Sequence, residues 1–239
     1  MVAHRDGVGD PTRPLVEIRG LTKAYTRGKQ TVEVLHGIDL DIPEGDFVAL
    51  MGPSGSGKTT LLNLIGGLDS PSDGVLMIDG DRIEEHSSDE LAAWRAATVG
   101  FIFQSYNLMP VLSAQKNVEL PLLLTDMSAR ERSQRAAVAL ELVGLTDRAS
   151  HKPNELSGGQ QQRVAIARAL VSDPRILICD EPTGDLDRKT ADEILDLLQR
   201  LNRDFGKTLV MVTHDPAAAK YARRIVHLDK GSLVAEAAH

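Results

Sequence analysis

Five short apolar runs recur along the chain and are too continuous to be strands on a protein surface. They span residues 47–51, 99–103, 176–179, 209–212 and 225–228. Runs of this kind, separated by helical patterns, are typical of parallel strands that are covered on both faces. The pattern therefore predicts an α/β fold with a mainly parallel core sheet.

The first part of the chain follows a different pattern, in which apolar and polar residues alternate. The alternating apolar positions are Val16, Ile18, Val32, Val34, Ile38, Leu40 and Ile42. A period of two residues is typical of half-exposed strands. We therefore expect a small antiparallel β subdomain beside the core sheet.

Helical signals are clearest in the second half of the chain. Ser128 and Glu131 have the spacing of a capping box, and Gly144 ends the helix that they open. A second helix follows Asp187 and places its apolar residues on one stripe. The segment at about 105–157 is mainly helical and loop-like, which predicts a helical subdomain inserted into the core. We expect one domain at 15–235, a disordered tail at 1–14 and a short C-terminal tail at 236–239.

Composition narrows the classes of function. The 239 residues include 34 acidic and 27 basic side chains, giving a formal net charge of −7, which disfavours a nucleic-acid binder. A single cysteine excludes an internal disulfide framework and fits a reducing compartment. No run approaches the ~20 apolar residues of a membrane-spanning helix. We therefore expect a soluble, intracellular chain that reaches a membrane only through a partner.

A phosphate-binding loop follows the first apolar run. Residues 52–59 fit the pattern G-x-x-x-x-G-K-[ST] between a predicted strand and a predicted helix. Glycines allow backbone N–H groups to surround phosphates, while Lys58 reaches the β- and γ-phosphates and the Thr59 hydroxyl ligates Mg²⁺. The predicted nucleotide contacts here are Gly52, Pro53, Ser54, Gly55, Ser56, Gly57, Lys58, Thr59 and Thr60.

Two carboxylates end the apolar run at 176–179. Asp180 can hold the hydration shell of Mg²⁺, and Glu181 can orient or deprotonate the attacking water. The acid at the second position favours an ATPase over a small GTPase. Cys179, just before the pair, is interpreted as a small hydrophobic core residue.

The segment Leu156-Ser157-Gly158-Gly159-Gln160 lies between the phosphate loop and the acidic pair, at the start of a helix. It resembles the signature motif of ATP-binding cassette (ABC) ATPases, and the resemblance covers about residues 15–234. It implies a P-loop NTPase fold of the ABC ATPase type. It further implies that ATP is bound between the phosphate loop of one chain and Ser157, Gly158, Gly159 and Gln160 of another.

Further positions match the family pattern one by one. The resemblance implies that Tyr25 stacks on adenine, although packing on the small early sheet is the alternative. It implies that Gln104 joins the Mg²⁺ and water shell and senses the membrane partner, and that His214 contacts the γ-phosphate. Asp187 matches the D-loop aspartate that links the two sites of a dimer. Gly184 and Asp185 depart from the usual serine and alanine there, which removes a hydroxyl that could touch the opposite site and adds a charge.

The resemblance extends to the bacterial branch that serves macrolide export and lipoprotein release. It implies an ATPase subunit that acts as a head-to-tail homodimer with ATP and Mg²⁺ and drives a separate integral membrane permease. The implied location is the inner face of the cell membrane. The catalytic residues would be Glu181, His214, Lys58 and Gln104.

Three other functions are weighed against this hypothesis. The first is transmembrane signalling of the cell-division type, which would regulate extracytoplasmic enzymes without transport. The second is an ABC-type ATPase that acts on DNA or ribosomes, which would need insertions or a second cassette that this sequence lacks. The third is a P-loop kinase, which would not need the motif at 156–160.

Overall fold

The computed structural model describes residues 14–28 and 30–234 of the 239-residue chain. The tails predicted at 1–14 and 236–239 lie outside the described residues, except for Pro14. The division of the chain into two tails and one domain at 15–235 therefore stays a prediction.

The secondary structure alternates between strands and helices after an initial β-rich segment. The strands are β1 (Val16–Arg27), β2 (Gln30–Ile42), β3 (Phe47–Met51), β4 (Asp73–Ile78), β5 (Asp81–Arg82), β6 (Val99–Phe103), β7 (Ile176–Asp180), β8 (Thr208–Val212), β9 (Arg224–Asp229) and β10 (Ser232–Val234). The α-helices are α1 (Lys58–Ile65), α2 (Ser88–Thr98), α3 (Ala114–Glu119), α4 (Ala129–Leu142), α5 (Gly158–Leu170), α6 (Arg188–Phe205) and α7 (Pro216–Ala219). Short 3-10 helices span Ile83–Glu85, Leu120–Leu124, Thr146–Arg148 and Pro153–Glu155.

The main sheet has the strand order β10-β9-β3-β8-β7-β6. The five strands from β9 to β6 are parallel, and only β10 is antiparallel to its neighbour. All five apolar runs form strands of this sheet, so the predicted parallel core is confirmed. Because the strands are parallel, β3, β6, β7 and β8 all end at one edge of the sheet, where the loops that follow them meet.

Both faces of the main sheet are covered, as the continuous apolar runs require. Along β3, Phe47 and Ala49 pack into one core cluster with residues from α3, α4, α5 and α6. Val48 and Leu50 point the other way, into a second cluster with α1 and the inner face of β1, β2 and β4. The side chains of β8 are buried throughout.

The smaller sheet has the order β2-β1-β4-β5 and is antiparallel. Its pairing confirms the antiparallel strands predicted from the first 42 residues, and burial alternates from Ile38 to Ile42 as expected. Val32 is 52% exposed and Val34 is only partly buried, so these two predicted apolar positions do not lie in the core. In its register Tyr25 lies opposite Val32. The strands β4 and β5 were not part of the sequence prediction.

Between β6 and α5 the chain forms only helices and loops. Ser128 accepts a hydrogen bond from the Glu131 amide and its own amide donates to the Glu131 carboxylate, so the predicted capping box is present. Gly144 follows the end of α4 with a φ of +72°. Within residues 14–28 and 30–234, no helix combines the length and the apolarity needed to cross a bilayer.

Candidate nucleotide and metal site

The phosphate loop requires glycine at two positions for steric reasons. Gly52 has a φ of +154°, and a Cβ atom there would lie 2.0 Å from the carbonyl oxygen of Leu228. Gly57 has a φ of +101°, and its Cβ would lie 2.8 Å from Leu35 Cδ2. The loop thus takes a path that L side chains disfavour, and its backbone turns sharply into α1.

The start of α1 has the features of an anion site. Gly57 caps the helix without any side-chain hydrogen bond, so the first amides of α1 have no side-chain acceptor. The Ser56 hydroxyl is buried and has no hydrogen-bond partner in the described part of the chain. Lys58 is buried and its Nζ donates to the carbonyl oxygens of Gly52 and Pro53, both at 2.8 Å. Unused donors and a cation held within the loop fit a phosphate group.

The two predicted carboxylates stand at the end of β7. Burial raises the pKa of Asp180 and the charge of Glu181 raises it further, while Lys58 opposes both. Glu181 takes a left-handed backbone conformation, with a φ of +48°, and its amide donates to Val212 O at 3.0 Å. A non-glycine residue in this region is unusual and is held here by its neighbours.

Glu181 and His214 contact each other directly. His214 Nδ1 lies 2.9 Å from Glu181 Oε1, and the His214 amide donates to Glu181 Oε2 at 3.4 Å. Both residues line a cavity of about 510 Å³ at the sheet edge. The full lining of this cavity is Val34, Ser54, Gly55, Gly57, Lys58, Thr59, Thr60, Glu181, Val212 and His214.

Gln104 follows β6 and faces the D-loop. Its Nε2 donates to Asp185 Oδ1 at 2.7 Å, and a Cβ atom on Gly184 would lie 2.9 Å from Gln104 Cδ. The two D-loop positions that depart from the family pattern therefore both contact Gln104. A small residue at 184 leaves room for the Gln104 side chain, and the carboxylate at 185 accepts its amide.

Tyr25 lies on β1, outside the lining of the cavity but near α1. Its hydroxyl donates to Asp69 Oδ2 at 2.7 Å, and its side chain keeps 44% of its surface exposed. Burial and the Asp69 bond raise the pKa of Tyr25, while a hydrogen bond with Thr60 opposes them. Thr60 belongs to α1, so the Tyr25 ring stands beside the helix that follows the phosphate loop.

The signature residues are at the N-terminus of α5 and not in the lining of the cavity. The Ser157 hydroxyl accepts a hydrogen bond from the Gln160 amide at 3.3 Å, and Gln160 Oε1 accepts one from the Ser157 amide at 2.9 Å. Asp187 caps α6 by accepting from the Thr190 amide and hydroxyl, and these bonds lower its pKa. Within one chain, the structure thus does not bring 157–160 or Asp187 to the cavity.

Two contacts near the site involve residues that the sequence analysis did not single out. Asp69 binds Tyr25, as described above, and the buried Gln162 donates to the carbonyl oxygens of Phe103 and Pro182. Gln162 interrupts an otherwise small or apolar face of α5, and a polar residue at a core position was a signal that the sequence contained. Nothing in the local sequence marked Asp69.

Magnesium fits the hard oxygen donors at this edge of the sheet. Asp180 and Thr59 offer a carboxylate and a hydroxyl, and Mg²⁺ is usually held by one or two such groups together with substrate phosphates and water. No cluster of three or more His, Cys, Asp or Glu side chains suited to a metal occurs in residues 14–28 and 30–234. The carboxylate of Asp180 and the hydroxyl of Thr59 fit a Mg²⁺ ion that is bound together with a phosphate-bearing substrate.

Comparison with known proteins identifies the family of these motifs. The family model described as "ABC transporter" matches residues 35–184. The uncharacterized ABC transporter ATP-binding protein YknY of Bacillus subtilis is 50% identical over 92% of this chain and 95% of its own length. The macrolide export ATP-binding/permease protein MacB 1/2 of Paracoccus denitrificans is 50% identical over 93% of this chain but only 33% of its own length.

A solved structure agrees with the sequence comparison. It is the dimeric post-hydrolysis state of the ATP-binding cassette MJ0796 bound to ADP and Pi, from a protein of Methanocaldococcus jannaschii. It superposes with a TM-score of 0.83 at 47% identity, over 91% of this chain and 96% of that one.

Proposed function

We propose a role in ATP hydrolysis for each residue of the site, on the premise that the chain belongs to the ABC transporter family as an ATP-binding subunit that hydrolyses ATP. The contact of 2.9 Å between Glu181 and His214, beside the phosphate loop, is the observation that carries the proposal. It places a carboxylate and an imidazole in the same cavity as Lys58.

The loop from Gly52 to Thr60 binds the phosphates. The loop amides and the uncapped start of α1 hold the phosphates, and Lys58 moves from its loop carbonyls to the β- and γ-phosphates. Thr59, Asp180 and Gln104 would hold Mg²⁺, which neutralises charge that develops on the phosphates. Tyr25 provides the platform for adenine.

Glu181 orients the attacking water and accepts its proton. The His214 ring and amide contact both oxygens of this carboxylate. When ATP is bound, His214 turns to the γ-phosphate and leaves Glu181 free to face the water. The left-handed backbone of Glu181 keeps this side chain at the sheet edge during the exchange.

A second copy completes the site. Ser157–Gln160 and Asp187 do not line the cavity of their own chain, whereas the start of α5 offers backbone amides suited to a γ-phosphate. The similar cassette MJ0796 forms a dimer bound to ADP and Pi. In the head-to-tail homodimer that we propose, the α5 start of one subunit closes over the cavity of the other.

The dimer is tested with the variant Glu181→Gln, which keeps the shape of the side chain but removes its charge and basicity. We expect ATP to convert this variant from monomer to dimer in gel filtration, because the nucleotide is bound but not hydrolysed. Glu141→Gln, an exposed position on α4, is the matched control and should elute like the parent protein. An E181Q sample that stays monomeric with ATP would contradict the proposal.

The proposed ATPase dimer acts on a permease in the membrane, for export or for extraction of lipoproteins or lipids. A cleft of about 410 Å³ beside β6 is lined by Arg95, Phe101, Pro121, Leu124 and Arg168, among others. It adjoins the Gln104 loop, and Leu124 is 81% exposed at its rim. An apolar cleft next to a loop that responds to nucleotide suits a permease helix, which would hold the subunit at the inner face of the membrane.

The transport reading is favoured because MacB joins a macrolide-export ATPase and a permease in one protein. The test is a pull-down of the E181Q variant with ATP from detergent-solubilised membranes. We expect a permease with several membrane spans to be recovered, and Leu124→Asp to abolish its recovery. Absence of any integral membrane protein would contradict this part of the proposal.

A further inference from the structure

One carboxylate, Asp69, ties together two side chains of β1. Its Oδ1 accepts a hydrogen bond from Lys23 Nζ at 2.6 Å, and its Oδ2 accepts one from the Tyr25 hydroxyl at 2.7 Å. Lys23 is 8% exposed and also donates to Ser70 O at 2.6 Å. Burial raises the pKa of Asp69, but the hydrogen bonds from Lys23, Tyr25 and the Ser70 amide, together with the charge of Lys23, keep this pKa below its usual value.

This arrangement leaves the Tyr25 ring little freedom. The hydroxyl is anchored at one end, and Lys23 Nζ lies 4.8 Å from the ring centroid, on one face. A cation at this distance is attracted to the ring and occupies that face. Tyr25 as a whole nevertheless remains 44% exposed. A flat base can therefore stack only on the face that Lys23 leaves open.

The same contacts link the ring to the phosphate helix. Asp69 lies four residues beyond Ile65, the end of α1, which begins at the phosphate loop. A second hydrogen bond links β1 to the segment after α1, since the Ala24 amide donates to Ser72 Oγ at 2.9 Å. The position of the ring is thus fixed from beyond the end of the phosphate helix, through Asp69, as well as by Thr60 in its first turn and by its own strand.

We propose that Asp69 is a positioning residue for nucleotide recognition, which orients Tyr25 and sets the distance between the adenine platform and the phosphate loop. Lys23 assists by closing one face of the ring. The inference rests on the proposed role of Tyr25 as that platform. It assigns Asp69 no contact with the nucleotide, so its effect must pass through Tyr25.

The experiment compares Asp69→Asn, Tyr25→Ala and the double variant by calorimetric binding of Mg-ADP. Pyrophosphate, which carries no base, is measured by competition. A base–aromatic stack contributes enough that its partial loss in D69N should weaken Mg-ADP binding by roughly 3- to 10-fold. Pyrophosphate binding should stay the same, and D69N should add nothing in the Y25A background. In ATPase assays the KM for ATP should rise while kcat holds.

Asp41→Asn is the matched control. Asp41 pairs with Arg19 at 2.6 Å on the same small sheet, so this variant removes an ion pair of the sheet, a more exposed one, without touching Tyr25. It should leave Mg-ADP binding unchanged. Equal losses for Mg-ADP and pyrophosphate in D69N, or an undiminished D69N effect in Y25A, would overturn the role of Asp69 alone. Normal Mg-ADP binding by Y25A would overturn the platform itself and the inference with it.

Discussion

The Gln162 side chain offers the sharpest test of how the catalytic loops are held. It is fully buried on α5, and its Nε2 donates to Phe103 O at 3.3 Å and to Pro182 O at 2.5 Å. Phe103 directly precedes Gln104, and Pro182 directly follows Glu181. One amide thus joins the backbones next to two predicted site residues. Gln162→Met keeps the length of the side chain and removes the amide.

The expected loss of stability can be worked out from these contacts. Two hydrogen bonds of ordinary net strength contribute about 1–3 kcal/mol together. Gln162 Oε1 is buried with no partner in the described residues. The variant removes this unpaired polar atom, which offsets the loss of stability by roughly 1 kcal/mol. The free energy of unfolding should therefore fall by at most about 2 kcal/mol. The larger effect should be catalytic, because a displacement near 1 Å can slow a reaction by about 100-fold.

The chain supplies a matched control in Asn202. This side chain is 3% exposed, and its Nδ2 donates to Gly45 O and Lys207 O, both at 2.8 Å. These carbonyls precede β3 and β8, at the opposite edge of the sheet from the cavity. Asn202→Leu removes a buried amide that joins two backbones, as Q162M does, but it leaves the catalytic loops alone.

The assays are denaturant unfolding, steady-state phosphate release and deuterium exchange. Both variants should lose stability, but only Q162M should lose kcat, by roughly 10- to 100-fold. The turn at 181–186 is closed by bonds from the Gly184 amide to Glu181 O and from the Leu186 amide to Thr183 O, so its exchange should rise in Q162M only. Similar destabilisation of both variants with kcat retained would show that Gln162 merely packs the core.

Two further predictions concern the cavity itself. Gly52→Ala should lose nucleotide binding and about 1–3 kcal/mol of stability, because its Cβ would lie 2.0 Å from Leu228 O; normal binding in calorimetry would refute this. Asp180→Asn should lose ATPase activity. At pH 7.5 without nucleotide, however, it should unfold at a higher temperature than the parent protein. The reason is that the raised pKa of Asp180 means that its charged form is disfavoured in the folded state. The stability linked to the raised pKa of Asp180 is fully present below its pKa in the unfolded chain, about 3.9, and is lost as pH rises. The stability gained by the variant should therefore shrink on acidification. Scanning calorimetry at several pH values that found no such trend would contradict this prediction.

The sequence predicted the core sheet because a strand buried on both faces must be apolar at every position. It predicted the phosphate loop and the capping box at Ser128 for a similar reason, since each depends on residues within a few positions of one another. It missed β4, of which only Leu76 and Ile78 are buried, so the segment resembles a loop. The pairs Gln104–Asp185 and Lys23–Asp69 are 81 and 46 residues apart, and only the topology brings them together.

The glycines of the signature motif have a role within a single chain as well as the one proposed across a dimer. A Cβ atom on Gly158 would lie 2.9 Å from the Tyr106 hydroxyl, and one on Gly159 would lie 2.4 Å from Thr190 Cγ2. Tyr106 belongs to the loop after Gln104. Thr190 lies in the first turn of α6, and its amide donates to Asp187, the N-cap of that helix. The loop after Gln104 and the first turn of α6 therefore both pack against the start of α5. We expect that a larger residue at 158 or 159 would displace these two segments together, because each approaches a glycine of the motif too closely for a Cβ atom.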